Sequence, residues 1–280
     1  MSRTPTTVGS YEIVRRIGGG GMAEVFLGRS TGHRGFEKLV AIKRVQRRAS
    51  PSFLEMLLDE ARIASNLNHT NIAQTYDLVE ESGTVYLIME YIRGVSLAEV
   101  ITRLERAETP MSPAMAAYVA GSICAALEYA HTRVDAQGQP LNIVHRDVSP
   151  GNVMCAFEGD VKLIDFGIAK ARHRIHETHA GVVKGKYGYM APEQARAQPI
   201  DHRTDIFAAG LMLYELLTLH NPIWRDDTLI ASALEQGVAP PSSVVPGIPA
   251  QLDAICLQAL APAREARYAT ARRMEEELDE

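Results

Sequence analysis

His145-Arg146-Asp147-Val148-Ser149-Pro150-Gly151-Asn152 is the stretch that decides the reading, a polar loop set between apolar segments. Asp147 and Asn152 are five residues apart. At that spacing a carboxylate can orient a hydroxyl nucleophile while an amide oxygen holds a metal ion. Thirteen residues after Asn152 comes Asp165-Phe166-Gly167, at the end of the apolar run Val161-Lys162-Leu163-Ile164. A carboxylate at a strand end beside a glycine is well placed to ligate Mg²⁺, which prefers hard oxygen donors. Either triplet alone is a weak signal, since His-Arg-Asp is commonly a surface loop and Asp-Phe-Gly commonly a turn. The four fixed residues of His-Arg-Asp-x-x-x-x-Asn should arise by chance in roughly one chain in five hundred of this size. Val40-Ala41-Ile42-Lys43 before them and Ala191-Pro192-Glu193 after them remove coincidence.

Upstream, the pattern is that of strands. Tyr11-Glu12-Ile13-Val14-Arg15-Arg16-Ile17 leads into four glycines and Glu24-Val25-Phe26-Leu27-Gly28 leads out, a hairpin with a glycine tip. Lys38 to Val45 reads as a third strand, and Tyr76–Val79 and Thr84–Tyr91 as two more. Apolar residues at 53, 54, 57, 58, 61, 64 and 67 follow the spacing Ser52-Phe53-Leu54-Glu55 of a capping box, so a helix is expected there. After Gly94 the pattern turns helical. Ser112-Pro113 opens one helix that runs through His131, and Asp205–Leu219 is apolar nearly all round, as in a buried central helix. The tail from Leu229 is helical in pieces, interrupted by prolines. The class is α+β: a small β-rich lobe with one main helix, residues 11–92, and a larger mostly helical lobe, residues 93–280, with a ligand cleft at the joint.

Composition sets the outer limits. The 280 residues are 46% hydrophobic and 22% charged, and Lys plus Arg (29) against Asp plus Glu (34) gives a net charge of −5. No basic stripe argues for nucleic acid. Cys124, Cys155 and Cys256 are odd in number and far apart, which fits a reducing cytoplasm rather than a disulfide framework. No apolar run reaches the roughly 18 residues of a membrane span. Residues 1–10 read as a disordered leader, and the chain stops in helical character near Leu278, which reads as a fragment of something longer.

Together the motifs resemble the eukaryotic-like protein kinases, over Tyr11 to about Leu278, and most closely their bacterial serine/threonine (Hanks-type) branch, through Gly20-Gly21-Met22-Ala23-Glu24-Val25 and Gly188-Tyr189-Met190-Ala191-Pro192-Glu193-Gln194. The resemblance implies the bilobal kinase fold, ATP and Mg²⁺ as cofactors, and transfer of the γ-phosphoryl to Ser or Thr hydroxyls of protein substrates. Self-association for autophosphorylation and a cytoplasmic location, free or as part of a longer membrane-anchored protein, go with it. Residue by residue, Ile17, Gly18, Gly19, Gly20, Gly21 and Val25 correspond to the loop over the phosphates, although Ala23 stands where a third glycine is usual. Lys43 would hold the α- and β-phosphates and pair with Glu60. Val25, Ala41 and Met154 would sandwich the adenine, Met89 takes the gatekeeper position, and the backbone from Glu90 to Ile92 would bind the base. Asp147 would take the hydroxyl proton, with Asn152 and Asp165 as metal ligands. Asp205 would brace the His-Arg-Asp backbone, and Glu193 would pair with Arg267.

Two departures matter. Ser149 stands where Ser/Thr kinases carry a lysine, a loss of transition-state charge on the order of 3 kcal/mol. Lys186 stands where a threonine is usual. Either the enzyme is impaired, a pseudokinase or scaffold, or Lys186 supplies the missing charge. A small-molecule phosphotransferase is the third reading, opposed by the Ala-Pro-Glu segment. In the activation segment, 165–193, Thr178 is the only Ser or Thr. A phosphate there could dock on Arg146 and Lys170. Ile168 after Asp-Phe-Gly goes with threonine preference in the substrate. Asp135 to Pro140 reads as an inserted surface turn.

Overall fold

The structure, a computed structural model, describes residues 6–19, 23–31, 37–45, 64–81, 83–166, 187–225, 228–229 and 231–280. It divides into two compact units, Met1–Arg93 and Gly94–Glu280.

The first unit is built on a six-stranded antiparallel sheet in the order β1-β2-β3-β4-β6-β5. Its strands are β1 Thr7–Val8, β2 Tyr11–Gly19, β3 Ala23–Thr31, β4 Glu37–Val45, β5 Thr75–Glu81 and β6 Thr84–Glu90. Alternate residues point to opposite faces of a strand. On one face Val40 and Ile42 of β4 meet Phe26, Tyr86, Ile88 and Val8 in a buried cluster. For residues 6–10, Val8 corrects the expectation of a disordered leader; residues 1–5 lie outside the described residues. Thr7 and Val8 pair with Glu12 and Tyr11, and Val8 is fully buried. The chain turns back through Gly9, whose φ of 52° suits a residue without a Cβ. A lone valine ahead of a Gly-Ser pair carries no periodic signal, so its burial was not legible. The helix expected across residues 53–67 lies almost wholly outside the described residues.

The second unit opens with a three-stranded antiparallel sheet, β7 Gly94–Ser96, β8 Val153–Ala156 and β9 Val161–Leu163. Helices α1 Leu97–Arg106, α2 Pro113–His131, α3 Pro192–Ala195, α4 Arg203–Thr218, α5 Ala231–Gln236, α6 Ala250–Ala259 and α7 Ala271–Asp279 follow, with a short β10–β11 ladder at Trp224–Arg225 and Thr228–Leu229. Ser96 caps α1 by accepting the Glu99 amide at 3.2 Å. Helix α2 starts where Ser112-Pro113 requires and ends at His131 as expected. Helix α4 is the centre of the core, with every residue from Thr204 to Thr218 buried. It begins two residues earlier than its apolar pattern shows, because Asp201 accepts the Arg203 amide at 2.9 Å. It ends at Leu219, which sits in the left-handed region at φ 57°. A Cβ added at Gly210 of α4 would come within 2.4 Å of the Ala259 Cβ, so the α4–α6 crossing is closer than any side chain there allows. Among the described residues no helix is long and apolar enough to cross a membrane. The Asp135–Pro140 segment is the expected surface turn: Val134 and Pro140 bridge, and Asp135 Oδ1 accepts the amides of Gln137 and Gln139.

Candidate active site

The hairpin β8–β9 places two of the candidate residues. Val153 pairs with Leu163 and Met154 with Lys162, and the ladder is continued by Ile164, whose amide donates to the Asn152 carbonyl at 2.9 Å. Asn152 and the residue before Asp165 are therefore held side by side by main-chain geometry. Asn152 closes a 3₁₀ turn, its amide donating to the Ser149 carbonyl at 2.8 Å. Its side chain donates through Nδ2 to the Asp147 carbonyl at 2.7 Å and to Asp147 Oδ2 at 3.1 Å. That commits the amide's NH₂ end to Asp147 and makes Oδ1 its acceptor end. Asp165 follows with φ at 56°, a left-handed conformation uncommon for a residue with a side chain.

Asp147 is held by its own neighbours. Its amide donates to His145 Nδ1 at 3.2 Å, which puts the imidazole proton on Nε2, where it faces the Ile164 carbonyl at 3.1 Å. The Phe166 ring packs against that imidazole, centroids 4.6 Å apart. Beneath the loop, Asp205 in the first turn of α4 takes the amide of His145 on Oδ2 at 2.7 Å and that of Arg146 on Oδ1 at 2.8 Å. His131 Nε2 reaches the same Oδ2 at 2.8 Å. Burial pushes the Asp205 carboxyl upward. The His131 hydrogen bond and the Arg146 amide outweigh it, and the group stays below the ordinary carboxylate range. The brace expected of Asp205 is thus present, and Arg146 is carried on it with φ at 64°.

The expected Glu193–Arg267 pair is also present and fully buried. Arg267 gives Nη1 and Nη2 to the two carboxylate oxygens at 2.8 and 2.9 Å. Its remaining donors reach the carbonyls of Ala261, Arg203 and Pro262. All five guanidinium N–H groups are therefore used, the condition under which a buried charge is tolerated. Thr204 Oγ1 donates to Glu193 as well, at 2.8 Å. Burial works to raise the Glu193 carboxyl, and the Arg267 hydrogen bond and charge hold it below its ordinary value.

In the first unit, cross-strand pairing places Val25 opposite Lys43, Lys43 opposite Leu87, and Ala41 opposite Leu27 and Met89. Directly paired residues share a face, so Val25, Ala41, Lys43 and Met89 line one side of the sheet, away from the Val40–Ile42 core. Ile17 lies at a register shift between Arg16 and Gly18, and Gly18 and Gly19 pair with Val25 and Glu24. The Glu90 amide donates to the Gln74 carbonyl at 2.8 Å. Met154 lies in β8 of the second unit, opposite Ser96 and Lys162. Gly20, Gly21, Glu60 and Lys186, with Ile168, Lys170 and Thr178, lie outside the described residues.

Sequence reasoning passed over His131 and Gln194. His131 ends α2 and completes the Asp205 acceptor set. Gln194 directly follows Ala-Pro-Glu and donates Nε2 to the Arg146 carbonyl at 3.0 Å. Their partners are 74 and 48 residues away, so no local pattern announces them.

The family model for the protein kinase domain matches residues 11–273. Tyrosine-protein kinase MasK of Myxococcus xanthus (strain DK1622) is 43% identical over 275 residues, covering 97% of this chain and 43% of the relative. Serine/threonine-protein kinase PrkC of Bacillus subtilis (strain 168) is 37% identical over 275 residues, covering 96% of this chain and 40% of the relative. The chain spans about two fifths of the length of these curated relatives. Among solved structures, the kinase domain of Mycobacterium tuberculosis PknI superposes with a TM-score of 0.74 at 25% identity, over 100% of this chain and 99% of that one.

Proposed function

The chain belongs to the protein kinase domain family, in its bacterial Hanks-type branch, and on that premise we propose that it transfers the γ-phosphoryl of ATP to Ser or Thr hydroxyls of proteins. In this reading the substrate oxygen attacks the γ-phosphorus as the bond to the β–γ bridging oxygen breaks. ADP leaves, and the hydroxyl proton passes to Asp147. Asn152 Oδ1 and the Asp165 carboxylate are hard oxygen donors that fit Mg²⁺, and main-chain bonding keeps their residues adjacent. The metal would neutralise phosphate charge there. Lys43 and the apolar face it shares with Val25, Ala41 and Met89 would hold the nucleotide.

The observation that carries the reading is the Asn152 side chain bonded to both the carbonyl and the carboxylate of Asp147, in a loop clamped by a buried Asp205. The test is transfer of label from γ-labelled ATP to a generic basic protein in Mg²⁺. Wild type should label it, and Asp147→Asn should lower kcat by about a hundredfold or more. A wild type that binds ATP and transfers nothing would turn the reading to a pseudokinase.

The acceptor is open to one specific counter-observation. PrkC and PknB are named serine/threonine kinases, whereas MasK, at 43% identity, is named a tyrosine kinase. Phosphoamino-acid analysis of the product decides: phosphothreonine or phosphoserine supports our reading, and phosphotyrosine alone reverses it. Activation by phosphate on Thr178 belongs to the same proposal. Among the described residues the buried Arg146 Nε has no hydrogen-bond partner, as a phosphate-docking guanidinium would before modification. Phosphopeptide mapping after incubation with ATP should find Thr178, and a labelled chain without it there rejects this part. Single-turnover transfer by Lys186→Thr tests the proposed compensation for Ser149; an unchanged rate removes it.

A further inference from the structure

The peptide group joining Arg146 to Asp147 sets the backbone from which the Asp147 carboxylate projects toward Asn152, and both of its ends are tied. Its N–H donates to His145 Nδ1 at 3.2 Å. Its C=O accepts Gln194 Nε2 at 3.0 Å. Gln194 in turn accepts the Ala191 amide on Oε1 at 3.1 Å, so both ends of its side-chain amide are engaged. Its own amide donates to the Ala191 carbonyl at 3.0 Å. The residue beside it, Glu193, is locked to a fully buried Arg267. Gln194 is therefore a polar hook on a rigid base, reaching the one residue that precedes Asp147.

The hook matters because Arg146 is left-handed, at φ 64°. A residue with a Cβ is held in that region only by its surroundings. Asp205 fixes the Arg146 amide, on one side of the Cα. That bond leaves rotation about ψ of Arg146, which swings the following peptide group and with it the Asp147 side chain. The Gln194 bond to the Arg146 carbonyl opposes that swing directly.

We propose that Gln194 is a positioning residue for phosphoryl transfer, setting the Arg146–Asp147 peptide and thereby the aim of the Asp147 carboxylate; this rests on the kinase reading given above. Gln194 touches neither substrate nor nucleotide in this role. Its loss should lower kcat and spare the Michaelis constant for ATP.

The discriminating variant is Gln194→Glu. Its ionised carboxylate can still accept the Ala191 amide but cannot donate to the Arg146 carbonyl, and it sets two oxygens face to face. Its protonated form donates again. We expect kcat about thirtyfold below wild type at pH 8, with the variant-to-wild-type ratio recovering about fivefold or more by pH 5.5. Arg146, His145, Asp147, Asp205 and the Glu193–Arg267 pair, the groups around the hook, are present in both proteins, so taking the ratio at each pH removes what the two share. Gln194→Met, equal in length and without a donor, should lose about tenfold in kcat at every pH, with the Michaelis constant for ATP within about twofold. A purely structural glutamine would give a flat ratio for Gln194→Glu. A flat ratio, or a Met variant with wild-type kcat, overturns the inference while leaving an active wild type and the kinase reading intact. An inactive wild type sinks both. Thermal unfolding of each variant at each assay pH confirms that folded protein is compared.

Discussion

Helix α4 carries two buried carboxylates ten residues apart, and they have opposite fates. Asp205, in the first turn, is 1% exposed and held below the ordinary range. Glu215, in the last turn, is 9% exposed and pushed up to about 7. Both suffer desolvation, and for both it is the largest influence. The difference lies in what replaces water. Asp205 receives two main-chain amides and an imidazole N–H at the positive end of the helix dipole. Glu215 receives the Tyr189 hydroxyl, faces Glu105, and sits at the negative end. Burial alone therefore does not neutralise an acid; a shortage of donors does.

The sharpest way to break this contrast is Asp205→Ala. It orphans three donors at once, and urea unfolding at pH 7 should show a loss of about 3–5 kcal/mol, together with collapse of any kinase activity. A loss under about 1 kcal/mol would mean the catalytic loop is braced from elsewhere.

The next effect is in pH. Between the ordinary value of 4.5 and about 7 the folded protein keeps a proton on Glu215 that the unfolded chain has released. Stability should fall as pH rises through that window, by up to about 3 kcal/mol. Glu215→Gln should flatten the slope in thermal unfolding from pH 5 to pH 8 and be the more stable protein at pH 8. Asp205 acts in the other direction. Its contribution is present above the ordinary carboxylate range and is lost only as pH falls through its depressed value, so it stays silent in that window.

Smaller effects refine the two donor sets. His131→Leu removes one of three donors and should cost about 1–2 kcal/mol, with the acid limb of unfolding moved to higher pH as Asp205 becomes easier to protonate. Tyr189→Phe should cost about 1 kcal/mol at pH 8 and move the Glu215 midpoint upward. If it instead stabilises the protein at pH 8, the tyrosine is a burden to the carboxylate rather than its support.

The contrast also shows what could be read from the chain alone. Asp205 and the Glu193–Arg267 pair were legible because each belongs to a recognisable run of residues, Arg203-Thr204-Asp205-Ile206 or Ala191-Pro192-Glu193. The Pro113–His131 and Arg203–Thr218 helices were legible because apolar spacing and a proline start mark them. His131, Gln194 and the Tyr189–Glu215 pair were not, since each acts through a single long-range hydrogen bond that leaves no periodicity. Val8 escaped for a related reason: its burial comes from a two-residue strand, too short to alternate. That Asn152 lies against Asp147 followed from their spacing. The left-handed backbone at Arg146 and Asp165 could not, because nothing in an arginine or aspartate foretells a positive φ.

One further consequence follows from the 74 residues that separate Glu193 from Arg267. A chain made at roughly 5–20 residues per second emits the glutamate about 4–15 seconds before its counterion. Until then the carboxylate that anchors Ala191 to Gln194 would be an unpaired charge if buried, so the helical unit has reason to stay open during synthesis. The sheet of the first unit, whose strands all lie within residues 7–90, is under no such delay. Vectorial synthesis would thus present the finished sheet of the first unit well before the helical unit, whose Glu193 gains its counterion only once Arg267 has emerged.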